Sequence, residues 1–408
     1  MDDSGAPTAA RGGGIEARRP GRARVLRTIR QHTQVARVDI ARETGISPAT
    51  VTAITADLLS EGLIERISPD AGERPKTSRG RPREALKIRG AAHLVAGVKV
   101  SQGAITVLLV DFEGRELGTQ EIPRAERRSS AAALVDQIAL AVDRACHAIG
   151  LDPARVSAVG VGLAGYVDGL RGLVHWSSAL TERNVPLADL LSQRVHYAVF
   201  IDNDANLVAT AEHLFGRGQA LRTFLVVTIQ HGIGLGVVID GQLYRGARGC
   251  GAEFGHTKVA PGDGAACQCG QRGCLEAYTS EYALLRQAEE VGAGTFTDMA
   301  ALQEAAAQGD AGIADLLSAA GEYFSMGLAN LINIFDPELI ILAFEAAGNH
   351  PLCQPEIVEA VHSKVVQVDV APPEIVVHNW GDRMWAKGAA AYGIERLTHL
   401  LVEDLGAP

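Results

Sequence analysis

The sequence predicts an α/β protein that carries a small, basic, helical head ahead of a larger acidic body. Three observations predict it. From residue 93 onward, apolar strand-like runs alternate with helical periodicity, and glycines gather at the strand ends. Ahead of that, residues 35–67 read as helix, tight turn, helix, strand. Charge is also segregated. Residues 1–90 hold 17 Lys/Arg against 11 Asp/Glu, and the remainder 21 against 37, within a net charge of −10. A basic head on an acidic body fits a head that meets a polyanion. At 408 residues the chain is long enough for two or three domains, each with its own core.

Residues 1–20 are rich in Gly, Ala, Arg and Pro without apolar periodicity, and a disordered tail is expected there. A DNA-binding unit with its linker is expected over 21–90. Val25, Leu26 and Ile29 start a helix, and Ile40, Ala41 and Thr44 suit a second one that Gly45 stops. Ser47 can cap the next helix, with Pro48 at its first position. Val51, Ile54, Leu58 and Leu59 form its buried face, leaving Ser47, Ala49, Thr50, Thr52 and Ala53 outside. Short side chains on the first turns of a second helix allow close approach to a major groove, so Ser47, Ala49, Thr50 and Thr52 are expected DNA contacts. Between Glu65 and Gly90 lie eight Lys/Arg against four acids. A hairpin there would carry Arg79, Gly80 and Arg81 at its tip, slim and cationic enough for phosphates or a minor groove. Together these make a winged helix-turn-helix.

In the body, residues 93–114 read as two apolar strands, 131–149 as a helix, and 156–168 as a strand. Residues 196–216 read as strand, polar turn and helix, 223–246 as a glycine-broken hairpin, and 331–344 as helix end, turn and buried strand. No short repeat is visible, and two similar lobes stay open. "CQCGQRGCLE" (267–276) places three of six cysteines within eight positions. Chance, a redox pair or a metal site would each account for that. Cys146, Cys250 and Cys353 are expected as ordinary buried thiols.

The order "GVGLAGYVDGLRG", "DNDAN", "GIGLGVVIDGQLYRGARGCGAEFGH", "CQCGQRGCLE" resembles the ROK family of bacterial repressors and sugar kinases, in its transcriptional-regulator branch, over residues 20–400. The resemblance implies two actin-like (ribonuclease H-like) lobes with a sugar in the cleft between them. The small lobe is expected over 91–212, completed by a C-terminal helix at 384–408, and the large lobe over 213–383. It also implies one structural zinc per chain, held by His256, Cys267, Cys269 and Cys274, a ligand set that thiolate and imidazole chemistry suits. Sugar hydroxyls are implied to meet Asn203, Asp204, Glu253, His256 and Glu276, with Gly165 and Ser178 on the small-lobe side; carboxylates accept from hydroxyls and an amide does both. Tyr166, Trp176 and His175 are further aromatic residues near that side.

Asp204 matches the family's catalytic base, yet the nucleotide loops depart from the kinase pattern. Lys99, Ser101, Gln102 and Gly103 stand where the kinases have Asp-x-Gly-Gly-Thr, Gln230-His231-Gly232 replaces Gly-Thr-Gly, and "LAFEAAG" replaces a glycine pair. Side chains there oppose close approach of backbone to phosphate, so Asp204 is expected to be vestigial and kinase activity absent. The expectation is a sugar-responsive regulator of carbohydrate-metabolism genes, a repressor as is common in the family. It would bind a palindromic double-stranded operator as a homodimer or homotetramer. A sugar kinase with a DNA-binding head, or a body that binds a protein partner, remain the alternatives. No run of about 18 apolar residues and no apolar leader are visible, so a cytoplasmic, nucleoid-associated location without membrane partners is expected.

Overall fold

The computed structural model describes residues 19–67, 84–292, 294–344, 350–379 and 383–404. The head begins with α1 (Arg19–Gln31), starting two residues ahead of the expected Gly21, then β1 (Val35–Ala36), α2 (Arg37–Thr44) and α3 (Pro48–Ser60). β2 (Ile64–Ile67) and β3 (Ala85–Ile88) close a three-stranded sheet of order β1-β3-β2. Gly45 stops α2 in the left-handed conformation at φ 69°, and its amide donates to the Ala41 carbonyl. Ser47 then caps α3 by accepting the Thr50 amide. The expected hairpin tip, with Arg79, Gly80 and Arg81, lies outside the described residues.

The body contains two five-stranded sheets. The first holds β4 (Leu94–Val100), β5 (Ala104–Asp111), β6 (Glu116–Pro123), β7 (Val156–Leu163) and β10 (Ala198–Asn203). Its order is β6-β5-β4-β7-β10, with α4 (Ala131–Ala148) packed against it. The second holds β11 (Phe224–Ile229), β12 (Ile233–Ile239), β13 (Gln242–Tyr244), β14 (Leu339–Phe344) and β15 (Glu374–Asn379), in the order β13-β12-β11-β14-β15. Each sheet is an antiparallel meander of three strands, with two strands added parallel to the first of the three. The two lobes therefore share one topology, although no repeat is visible in the sequence. This is the α/β, two-lobed, actin-like class expected.

Two expectations are corrected in detail. The single strand read over 156–168 breaks at Ala164, after which β8 (Gly165–Asp168) pairs with β9 (Leu173–Ser177) as a separate hairpin. Gly165 takes φ 143°, and a Cβ there would strike the Trp176 carbonyl, so the chain can turn only at glycine. β6 was not anticipated, because its exposed, alternating polar residues resemble a loop.

Two helices join the lobes. α6 (Asp204–Phe215) follows β10 without a turn and packs on β11 and β12. The C-terminal α12 (Met384–Asp404) packs on β4, β7 and α6. A Cβ on Gly97 or Gly160 would run into the α12 backbone at Ala386 and Ala389, so these glycines set how deeply the helix beds into the sheet. The core of the head is continuous with this layer: Val25, Leu26 and Ile29 of α1 belong to one apolar cluster with Phe112, Ala390, Ile394 and Leu397. The Arg30 guanidinium lies 4.7 Å from the Phe112 ring centroid and donates to the Phe112 carbonyl, while burial holds its pKa down to about 10. No helix of the described residues is long and apolar enough to cross a membrane.

Candidate functional site

A cavity of about 280 Å³ opens between the lobes. On its first side the apolar strand β10 ends in Asp202-Asn203 and α6 starts at once. Asn203, in extended backbone, caps α6 by accepting the Asn206 amide at 2.8 Å, so strand and helix together aim Asn203 and Asp204 at the cavity. The β8–β9 hairpin adds Gly165, Tyr166 and Trp176, and the loop after it Ser178. On the second side stand Glu253 and His256, with Glu276 opening the short helix α7 (Glu276–Thr279). All seven residues predicted to meet a ligand thus line one cavity. Tyr166 and Trp176 line it too. His175 does not; its ring pairs with Asn184 at 3.0 Å. Next to Glu253, Ala252 is held at φ 68°, a conformation unusual for a residue with a Cβ and found most often at functional sites.

Three carboxylates share this poorly hydrated space. Burial pushes the Asp204 carboxyl up; the Ala205 amide and Lys99 pull it back, and Glu276 adds to the rise. Glu253 is pushed up to about 7, first by burial and then by Asp204 and Glu276. Its folded-state pKa thus lies above the unfolded value, so it is neutral below about 7 and ionised above. A hydroxyl donates more strongly to the ionised form, whose two oxygens both accept. For a neutral sugar, binding is expected to be about tenfold weaker at pH 6 than at pH 8, and Glu253→Gln to flatten that profile. Titration calorimetry at both pH values checks it.

The predicted metal ligands also converge. The donor atoms of His256, Cys267, Cys269 and Cys274 all lie within 4.8 Å of one another. Cys267 Sγ is 3.6 Å from His256 Nδ1, and Cys269 Sγ is 3.8 Å from Cys274 Sγ. With Nδ1 turned to the thiols, His256 keeps Nε2 for the cavity. Gly270 and Gly273, both in left-handed backbone, fold the loop around the cluster. Lys258 Nζ lies 3.1 Å from Cys274 Sγ, a cation that offsets thiolate charge. Tyr282 donates to Glu276 Oε1 at 3.3 Å and lies 3.7 Å from Cys267 Sγ. Glu276 Oε2 accepts the Ile233 amide at 3.3 Å. Glu276 therefore joins the metal-ligand loop, the cavity and the β11–β12 turn. Of the remaining thiols, Cys146 is buried, whereas Cys250 and Cys353 are only half-buried, less enclosed than expected.

In the head, Ser47, Ala49 and Thr52 are exposed and Thr50 half-buried on the first turns of α3. The Thr52 hydroxyl donates to the Pro48 carbonyl at 2.8 Å. This small, uncharged face is the one predicted for DNA.

Several residues of the site escaped the sequence reading. Asp202 is fully buried and takes two bonds from Arg245, at 3.0 and 2.7 Å, and one from Asn206 at 2.9 Å. A carboxylate closing an apolar strand requires a buried partner, which is the signal that could have found it. Trp385, at the start of α12, lines the cavity and has Lys99 Nζ 5.4 Å from its ring centroid. Its place follows from the return of the C-terminus to the cleft, which no local pattern reveals.

Comparison with known proteins agrees with this architecture. The ROK family model matches residues 95–395, and the MarR family model matches residues 20–72. The xylose repressor of Bacillus spizizenii is 27% identical over 383 residues, covering 92% of this chain and 95% of that protein. The crystal structure of a ROK family transcriptional regulator, a homolog of E. coli MLC protein, superposes with a TM-score of 0.78 at 25% identity over 96% of this chain and 99% of that one. A ROK family glucokinase from Streptomyces griseus, in complex with glucose and AMPPNP, gives a TM-score of 0.62 at 33% identity over 74% of this chain and 99% of that one.

Proposed function

The chain belongs to the ROK family, and from that membership we propose that it is a sugar-responsive, DNA-binding transcriptional regulator. It represses carbohydrate-metabolism genes and does not phosphorylate its ligand. One observation carries the reading: a complete polyol shell of amide, carboxylates and imidazole shares a cleft whose nucleotide side is filled by protein. The division of the chain follows. Residues 21–90 bind DNA, 91–212 with the C-terminal helix form the small lobe, and 213–383 form the large lobe.

The filling is specific. In the β4–β5 turn, Ser101 Oγ accepts the Ala104 amide and Ser101 N donates to the Ala104 carbonyl. Arg124 holds the same turn from outside, donating to the carbonyls of Ser101 and Gly103. A phosphate would need those amides free. Lys99 stands by Trp385 where a metal-binding carboxylate would be required. In the β11–β12 turn, Gln230 N is taken by the Gly232 carbonyl and Ile233 N by Glu276. Of "LAFEAAG", residues 345–348 lie outside the described residues. Asp204 remains in place, and it is the one feature that favours a kinase. Incubation with ATP, magnesium and a panel of hexoses and pentoses separates the two readings: no turnover is expected, and turnover at about 1 per second or faster would make the protein a kinase.

Zinc is the ion we assign to the cluster. Zn–S bonds near 2.3 Å and Zn–N bonds near 2.0 Å place tetrahedral ligand atoms about 3.5–3.8 Å apart, which the observed 3.6 and 3.8 Å spacings match. Bound there, zinc would brace the loop that carries His256 and Glu276 without taking part in chemistry.

The route from ligand to DNA is mechanical. Connector 216–223 is a covalent link between the lobes. Gln31, the last residue of α1, donates to the Gln219 carbonyl in that connector at 3.0 Å, and Arg27 of α1 pairs with Glu395 of α12 at 3.8 Å. A ligand that closes the cleft moves the connector and so the heads. It shifts DNA affinity by its preference for one of the two states. A palindromic operator needs two heads, supplied by a homodimer or homotetramer in the cytoplasm. Electrophoretic shift on the DNA upstream of its own gene tests this. A specific complex is expected, and one member of a sugar library changes its midpoint by about tenfold or more; no specific complex on any tested promoter refutes the regulator.

A further inference from the structure

The geometry points to an anionic sugar derivative, bearing a carboxylate or a phosphate, as the ligand of the cleft, with Arg183 as the residue that selects it. The inference deepens, and rests on, the reading of the cleft as a sugar site. Among the described residues that line the cavity, Arg183 carries the one guanidinium or ammonium group; the carboxylates Asp204, Glu253 and Glu276 are the other ionisable acids and bases apart from imidazole, thiol and phenol.

The loop that carries Arg183 is built to present it. Before it, Arg128 donates twice to the Leu180 carbonyl, at 2.9 and 2.7 Å. Ser129 N donates to the Ala179 carbonyl and Thr181 N to the Ser129 carbonyl, each at 3.0 Å. The Glu182 carboxylate accepts the Ala131 amide at the start of α4. That acid, the nearest in sequence, is therefore turned to the helix and not to Arg183. After it, Asn184 is held at φ 54° by the His175 ring and carbonyl, and Val185 pairs with Val174. Every neighbour is fixed, the backbone adopts a left-handed residue beside Arg183, and no acidic partner meets its exposed guanidinium among the described residues.

A sugar hydroxyl does not need that arrangement. The opposite wall already offers carboxylates, which accept from hydroxyls, and an amide that does both. A guanidinium gains most from an anion, which it grips through two charge-assisted bonds in a fork. The carboxylates on one wall and the cation on the other match a ligand with hydroxyls at one end and a charged group at the other.

The test is titration calorimetry on the full-length protein. The probes are neutral hexoses and pentoses, the corresponding uronic acids and the corresponding sugar phosphates, each at low and at 0.5 M salt. An acid or a phosphate is expected to bind at least tenfold more tightly than its neutral parent, with the preference shrinking at high salt. Arg183→Ala should bring the ratio of the two affinities near one, and Arg183→Lys should keep part of it. Whether acids or phosphates win identifies the anionic group. Tighter binding of the neutral parent, or a ratio that Arg183→Ala leaves unchanged, overturns the inference while the sugar reading stands. Absence of heat from every probe overturns both. Arg183 is exposed, so an unchanged thermal midpoint in the variant certifies that the fold is intact.

Discussion

Cys267→Ser is expected to empty the metal cluster and abolish ligand binding in the cleft while leaving the DNA-binding head folded. Cys267 is a buried corner of the cluster, and the one next to the cleft carboxylate: its sulfur lies 3.6 Å from His256 Nδ1 and 3.5 Å from Glu276 Oε1. A serine hydroxyl is a poor ligand for a borderline metal, and its C–O bond is too short to restore the shell. Even loss of a partner beyond the ligands lowers metal affinity about 10–100-fold, so loss of a thiolate should exceed 100-fold. Elemental analysis should fall from one zinc per chain to below about a tenth after dialysis against a weak chelator. The effect should reach the cleft, because His256 and Glu276 stand on the segments that a bound ion would brace. Thiolates must be free of protons to hold the metal, so retention is fullest at neutral to alkaline pH and is lost as pH falls. The DNA-binding head touches none of these residues, so non-specific DNA binding should persist as the internal control. Wild-type protein without bound metal but with full ligand affinity would defeat the claim.

The parts of this molecule that local chemistry dictates were legible in its sequence. Gly45, Ser47 and Pro48 announce a stop, a cap and a helix start, and the structure places all three so. The three clustered cysteines stood out by their spacing, and His256 was joined to them by the resemblance to the ROK family. What was not legible depends on distant chain. The equal topology of the two sheets arises from strand pairing, not from repeated residues. Asp202 and Arg245 lie 43 positions apart, and nothing local joins them. Arg183 gave no signal in the sequence, because its placement depends on how Arg124 and Arg128, more than fifty positions away, hold the carbonyls of Ala179 and Leu180. Lys99 could be read as out of place for a kinase, but its ring partner Trp385 returns from the far end of the chain.

Asp202→Ala is expected to destabilise the protein by about 3–5 kcal/mol, the largest stability effect of a single substitution in the body, because it leaves a buried charge without its partner. Asp202 has no exposure, and the Arg245 side chain is 14% exposed. The carboxylate takes two guanidinium bonds, the Asn206 side-chain amide, and the Asn203 backbone amide at 2.8 Å. Arg245 follows β13 of the second sheet while Asp202 is the penultimate residue of β10 in the first, so the pair fastens one lobe to the other beside the cleft. The guanidinium also lies 5.5 Å from the Tyr392 ring of α12, which covers part of it and leaves it little access to water. Removal of the carboxylate therefore costs four N–H donors their acceptor and frees the Asn203–Asp204 junction to rotate. Urea denaturation should show the loss as a lower midpoint with an unchanged slope, and ligand affinity should fall with it. Arg245→Met alone should be similarly damaging, because it strands the carboxylate. The pair Asp202→Asn with Arg245→Met removes both charges at once and should recover much of the stability, since a buried neutral amide costs far less to desolvate than an unpaired charge. Ligand affinity should recover in part in the double variant, because the amide oxygen introduced at position 202 can still accept from Asn203 N while the guanidinium clamp is gone. Additive losses in the double-mutant cycle, with no recovery, would show that Asp202 and Arg245 act independently and that the lobes are fastened elsewhere.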